Sequence, residues 1–205
     1  MRALNLPNQI TLARLVLAII FFALLSQYTH RAPQLWLLEA SIVLFVVAAG
    51  TDFLDGYLAR KYGQVTALGR ILDPLVDKVL VCGTFVLFVG PGFVDASGCN
   101  VTGVKAWMVI VIVGRELLVT GLRGFSESTG RAFGASVYGK MKMWMQSIAA
   151  PVILLLIAGE GRWIASDPAE TIKTILVWAT VIITVLSSVQ YLIRARSILD
   201  ESAHP

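Results

Sequence analysis

The chain has 205 residues, 57% of them hydrophobic and only 15% charged, with a mean hydropathy of +0.76, whereas a soluble domain carries about 25% charged residues. That composition argues against an ordinary soluble globule, and the length suits one membrane unit of several helices at about 20 apolar residues each, with little left for a second domain. The net charge of +4 comes from basic residues spread between the apolar segments, so the anionic membrane surface is the expected partner rather than nucleic acid.

The first apolar stretch, Ile10 to Tyr28, follows Leu6-Pro7-Asn8-Gln9. It has the outline of a signal peptide, but Arg14 sits inside the apolar run and no small-residue cleavage site follows, so it reads as a retained span. The second stretch runs from Leu35 to Gly50 and contains Glu39; the third, from Leu75 to Phe93, contains Lys78 and Cys82. A turn-rich connection, Gly90 to Gly103, holds Cys99 and the Asn100-Val101-Thr102 glycosylation pattern, to which no weight is given. Neither cysteine has a CxxC or histidine companion, so both are expected as free thiols.

The fourth stretch, Val104 to Leu122, contains Arg115 and Glu116. Met143 to Ala158 is the fifth and Thr174 to Ile193 the sixth, followed by a polar tail expected to fray. The expected fold is therefore an all-α, six-transmembrane-helix bundle forming one domain over 1–205. An even number of spans puts both termini on one side. With that side cytoplasmic, 13 of the Lys and Arg residues lie inside or in the inner half and 4 outside, as the positive-inside rule requires. Glu39, Lys78, Arg115 and Glu116 at membrane depth are costly facing lipid and should face a polar chamber.

Four of the seven aspartates, Asp52, Asp55, Asp73 and Asp77, fall in the run TDFLDGYLARKYGQVTALGRILDPLVDK. Residues three or four apart share a helix face, so these are two stacked pairs, and a turn around Lys61 and Gly63 folds them together at the cytoplasmic interface. Four converging carboxylates repel unless cations neutralise them. Oxygen donors without His or Cys favour a hard cation such as Mg²⁺ or Mn²⁺, and four suffice for a two-metal site of the kind that performs phosphoryl transfer. Gly56 and Gly69 allow close helix contact or ligand approach, and Arg60 is placed to bind phosphate. Interfacial caps and snorkelling charges are the bland alternative; they do not account for two pairings in one hairpin.

Asp52-x-x-Asp55-Gly56-x-x-Ala59-Arg60, then Gly69, Asp73 and Asp77, resembles the complete signature of the CDP-alcohol phosphotransferases, a match expected by chance on the order of 10⁻¹⁰ per starting point. The resemblance implies a six-helix membrane enzyme, a homodimer, with two divalent metals and the CDP moiety held between spans two and three. By position it implies Asp52, Asp55, Asp73 and Asp77 as metal ligands, Asp77 also as general base, and Asp52, Gly56, Ala59, Arg60 and Gly69 around the nucleotide.

The acceptor alcohol must be read elsewhere. Arg115 and Arg123 are two helical turns apart with about 80° of drift, near enough for long side chains to converge, and Lys140 and Lys142 open the fifth span. Such a basic cavity suits an acceptor that carries its own phosphate. Arg115, Arg123 and Lys140 are its candidate ligands, while Lys142 reads as snorkelling to the interface. The segments GRELLVTGLR, YGKMKMWMQ and the opening LPNQITLAR also resemble the bacterial phosphatidylglycerophosphate synthases within that family. This implies transfer of a phosphatidyl group from CDP-diacylglycerol to sn-glycerol 3-phosphate at the bacterial inner membrane. Asn8, unless it caps the first helix, and Thr11 are candidates for substrate contact. The alternatives are another member of the family (a phosphatidylinositol-phosphate, serine or cardiolipin synthase) and, from a different class, a divalent-cation transporter. His30, His204 and most tryptophans have no catalytic company.

Overall fold

The computed structural model describes the backbone of residues 6–62, 67–128 and 137–202, and the side chains of 9–51, 74–126, 139 and 141–196. Six α-helices follow one another there: α1 (Leu6–Leu25), α2 (Leu35–Tyr62), α3 (Ala67–Phe88), α4 (Ala106–Ser128), α5 (Val137–Gly159) and α6 (Ser166–Ser202). Among the described residues there is no strand, only two isolated bridges, Val94 with Asn100 and Glu160 with Ile164. Each helix covers most or all of one apolar stretch, and every helix runs past its stretch at one end or both. α2 continues through the aspartate run to Tyr62, α4 to Ser128 and α6 to Ser202, and α5 begins at Val137. Apolarity marks where a helix meets lipid, whereas its hydrogen bonds continue until the backbone turns. The expected fraying from Arg194 is therefore corrected at the backbone level.

The bundle buries charged side chains beside its apolar core and exposes large apolar ones. Arg14 is fully buried and Glu116 and Lys142 are 7% exposed, while Ile110 and Leu117 are 71% and 69% exposed. Exposed apolar side chains on every helix, among them Ile19, Val43, Val86, Trp144 and Ile175, form the surface expected against hydrocarbon. Two helical stretches, Met141–Gly159 and Ser166–Arg196, are long and apolar enough to cross a membrane, and Gln9–Leu25 and Leu35–Thr51 are shorter apolar ones. In α3 and α4 the same outward apolarity is diluted by polar residues turned inward.

α1 packs on α2 and α3, α5 on α2 and α6, and α4 on α3 and α6. Phe21, Phe45, Phe85, Phe88 and Phe93 form an aromatic core, with Phe21 and Phe45 5.7 Å apart edge to face and Phe88 and Phe93 5.5 Å apart. Gly83 brings α3 against α1: a Cβ there would lie 2.5 Å from the Phe22 ring.

The connection after α3 is ordered by its own polar groups. The Phe88 carbonyl, left over at the helix end, accepts from Asn100 Nδ2 at 2.7 Å and Thr102 Oγ1 at 3.2 Å. Asp95 accepts from Ser97 Oγ and the Cys99 amide, which holds its carboxyl below the usual carboxylate range. The other connections join this one: His30 N donates to the Gly92 carbonyl at 2.8 Å and Lys173 Nζ to the Val101 carbonyl at 2.7 Å. Glu39 lies at this end too, exposed and 2.8 Å from Arg162. Its expected place in an inner chamber is corrected, since α2 presents it to a basic residue of the α5–α6 connection instead. Cys82 and Cys99 are free thiols.

Candidate active site

At the other end of the bundle, α2 to α6 enclose a cavity of about 740 Å³. Its lining is apolar at Phe45, Val46 and Ala49 of α2, Val81 of α3 and Met143, Ile148 and Val152 of α5, and carries Asp77, Lys78, Arg115, Glu116, Arg123, Lys142 and Tyr191 as its polar groups. Both helix-interior prolines, Pro74 and Pro151, line it. This is the polar chamber expected from the intramembrane charges, with Lys78, Arg115 and Glu116 facing it.

Asp77 stands at one side of the chamber. Its Oδ1 accepts from Arg14 Nη1 at 2.9 Å; the arginine side chain is fully buried and the carboxylate one-third exposed. Arg14, the charge that interrupts the first apolar run, thus neutralises a carboxylate 63 positions away in sequence. On the α4 side, Lys78 Nζ donates to Thr120 Oγ1 at 2.6 Å, and that hydroxyl donates to the Glu116 carbonyl at 2.6 Å.

Glu116 is the hub of the basic wall. Its Oε1 accepts from Arg115 Nη1 at 2.7 Å and also from Lys142 Nζ. Arg115 Nη2 reaches across to Ser187 Oγ of α6 at 2.7 Å. Arg123 Nη2 donates to the Tyr191 hydroxyl at 2.9 Å, and the Arg115 and Arg123 guanidinium carbons lie 5.5 and 5.6 Å from the centre of the Tyr191 ring. The two arginines therefore converge as their spacing allowed, on an aromatic platform that attracts both cations. Two cations held side by side over one ring, against a single carboxylate shared with a lysine, leave this wall net positive and suited to an anion.

Lys142 does not snorkel to the interface; it is buried and paired with Glu116, because the bundle supplies a carboxylate where the membrane surface would need a longer reach. Thr11 is buried in α1 and does not line the cavity. The backbone of Asn8 lies in the first turn of α1.

The remaining site candidates are placed by backbone only. Asp52, Asp55, Gly56, Ala59 and Arg60 occupy positions i, i+3, i+4, i+7 and i+8 of α2, and Gly69, Asp73 and Asp77 positions i, i+4 and i+8 of α3. Each series recurs on one face of its helix. Side chains of these residues other than Asp77, and those of Asn8 and Lys140, lie outside the described residues, as does His204. Ser187, Thr184 and Tyr191 of α6 are the polar residues of this end that sequence reasoning missed. A hydroxyl recurring at Thr180, Thr184, Ser187 and Tyr191 in an otherwise apolar helix was the available signal.

A family model for CDP-alcohol phosphatidyltransferases matches residues 4–186. The chain is 37% identical to a CDP-diacylglycerol–glycerol-3-phosphate 3-phosphatidyltransferase of Bacillus subtilis, over 91% of this chain and 93% of that one. It is 34% identical to the protein of the same name from Pseudomonas fluorescens, over 92% and 89%, and 33% identical to that of Rickettsia bellii, over 91% and 93%. With the family model covering most of its length and the aspartate signature intact on α2 and α3, the chain belongs to the CDP-alcohol phosphatidyltransferase family.

Proposed function

We propose that this chain is a single-domain, six-span enzyme of a bacterial inner membrane, with both termini and the active site on the cytoplasmic side. It moves the phosphatidyl group of CDP-diacylglycerol to sn-glycerol 3-phosphate, giving phosphatidylglycerophosphate and CMP, and works as a homodimer. The observation that carries the reading is the juxtaposition in one cavity of Asp77 with the basic wall of Arg115, Arg123 and Tyr191. The names of the relatives support the acceptor, and the distribution of Lys and Arg supports the orientation.

The residues suit a divalent metal: the signature donors are all carboxylate oxygens, and Asp77 presents an anionic oxygen at the cavity wall, the chemistry hard cations select. Asp52, Asp55, Asp73 and Asp77 would hold two such ions, which supply Lewis acidity to a diphosphate and neutralise a phosphate leaving group. Around the nucleotide, Asp52, Gly56, Ala59, Arg60 and Gly69 bind and orient the CDP moiety. The apolar part of the lining accommodates the diacylglycerol chains, so the donor enters from the lipid with its headgroup toward the charges. Arg115 and Arg123, with Lys140, hold the acceptor's phosphate, and Asn8 is kept as a candidate substrate contact, whereas Thr11 is buried in α1 away from the cavity lining.

The reaction forms a bond from the primary hydroxyl oxygen of glycerol 3-phosphate to the phosphorus bearing diacylglycerol, breaks the anhydride bond on its far side, and releases CMP. Asp77 takes the hydroxyl proton as that bond forms, a contribution of typically 10²–10⁴-fold. Arg14, 2.9 Å away, orients the Asp77 carboxylate until then. The test is an acceptor panel with CDP-diacylglycerol, read by lipid mass: glycerol 3-phosphate should be used, and serine, inositol phosphate and phosphatidylglycerol should not.

A further inference from the structure

Among the described side chains, the cations that line the cavity are Lys78, Arg115, Arg123 and Lys142. Arg115 and Lys142 share the Glu116 carboxylate. The other two have no carboxylate partner among the described residues and are held by hydroxyls: Arg123 by Tyr191 at 2.9 Å and Lys78 by Thr120 at 2.6 Å. A cation at membrane depth with only a neutral partner is costly, and an anion that enters the cavity relieves the cost. Arg123 meets such an anion in the acceptor's phosphate, whereas Lys78 has no part in the reaction described above.

A ligand in the cavity can reach this lysine. Lys78 and Thr120 both line the cavity, Lys78 half-buried and Thr120 exposed. The Thr120 hydroxyl hydrogen is committed to the Glu116 carbonyl at 2.6 Å, so toward Lys78 its oxygen accepts. One of the three ammonium N–H groups is thereby used, and two remain for a ligand.

The seat also fixes where the charge sits. Thr120 and Arg123, three apart on α4, are surface neighbours with about 4.5 Å of axial rise between them. At its other end the lysine side chain leaves α3 at the position after Asp77. It therefore crosses from the helix that carries the Asp77 carboxylate to the helix that carries the arginines. Resting on the acceptor and the general base assigned above, we infer that Lys78, seated by Thr120, is a further ligand of the acceptor's phosphate. Glycerol 3-phosphate must bring its primary hydroxyl to Asp77 and its phosphate to Arg123, and Lys78 spans that same interval. An alcohol without a phosphate leaves the ammonium as it is in the free protein, so the lysine adds to the preference for an anionic acceptor.

Purified wild type and Lys78→Met, with CDP-diacylglycerol in mixed micelles, are assayed for CMP release with each substrate varied in turn. Lys78→Met should raise KM for glycerol 3-phosphate about tenfold or more, since a charge-assisted phosphate contact is lost, and leave KM for CDP-diacylglycerol within about twofold. A lysine that merely ties α3 to α4 does not move KM for one substrate alone. Equal rises for both substrates, or a lowered kcat with KM for glycerol 3-phosphate unchanged, overturn the proposal. If Lys78→Met does not fold, Thr120→Val carries the test: it keeps the cation but removes its seat, and should raise KM for glycerol 3-phosphate about threefold, while an unchanged KM overturns the proposal. A wild type that releases no CMP with glycerol 3-phosphate overturns the assigned activity and this inference with it, whereas an active wild type beside a variant with unchanged KM overturns this inference alone.

Discussion

Glu116 is the only acid among the described residues that pairs with both Arg115 and Lys142, and its replacement offers a quantitative test of the basic wall. The three side chains are 6–8% exposed, so Glu116→Gln leaves two buried cations without their counter-charge while preserving shape. Breaking a buried ion pair from one side costs about 3–5 kcal/mol. Arg115 keeps Ser187 and the Tyr191 ring, which places the expected loss near the lower end, about 3 kcal/mol. For a chain of this length that is a fall in Tm of about 6–12 °C. Adding Lys142→Met removes one of the stranded charges, so the double variant should recover about 1–2 kcal/mol relative to Glu116→Gln alone. Thermal unfolding of the detergent-purified proteins, followed by tryptophan fluorescence, reads both effects. A single variant that melts with the wild type, or a double variant no more stable than the single, would refute the reasoning.

Arg123→Ala should raise KM for glycerol 3-phosphate about tenfold or more and leave that for CDP-diacylglycerol nearly unchanged, because a charge-assisted phosphate contact is lost on one side of the reaction only; steady-state kinetics with each substrate varied in turn separates the two. Asp77→Asn should retain CDP-diacylglycerol binding but lose turnover by about 10²-fold or more, whereas loss of nucleotide binding with recovery in excess metal would make Asp77 a ligand rather than the base. Asp95 lies in the connection between α3 and α4, with its folded pKa lowered by Ser97 and the Cys99 amide. Its contribution to the order of the 89–105 connection is present above the ordinary carboxylate range and fades as pH falls through the lowered value. Protection factors of the loop amides, referred to the intrinsic exchange rate at each pH, should fall on acidification in the wild type and be low throughout that window in Asp95→Ala.

The aspartate face was legible because its spacing is a local property of a helix, and α2 and α3 run unbroken through it. The convergence of Arg115 and Arg123 was half legible: helical drift allowed it, but the Tyr191 ring that gathers them is 68 positions beyond Arg123 in sequence. Lys142 was misread for the same reason, since its carboxylate is 26 residues away on another helix and only packing brings them together. Glu39 was misplaced because an acid in an apolar run looks alike at either end of a span; its distance from Arg162 in sequence, 123 positions, carried no local signal. Arg14 stands out in the sequence as a charge inside an apolar run, and the fold pairs it with Asp77.

The measurement that reaches the central claim most directly is CMP release by the purified protein in liposomes holding CDP-diacylglycerol, with glycerol 3-phosphate and Mg²⁺ or Mn²⁺ added or withheld. CMP should appear in step with phosphatidylglycerophosphate, only when both the acceptor and a divalent cation are present, and Asp52→Asn, Asp55→Asn and Asp73→Asn should each abolish it while the protein stays folded. Passage of divalent cations across the liposome with no CMP formed, or full CMP release without the acceptor's phosphate, would contradict the account.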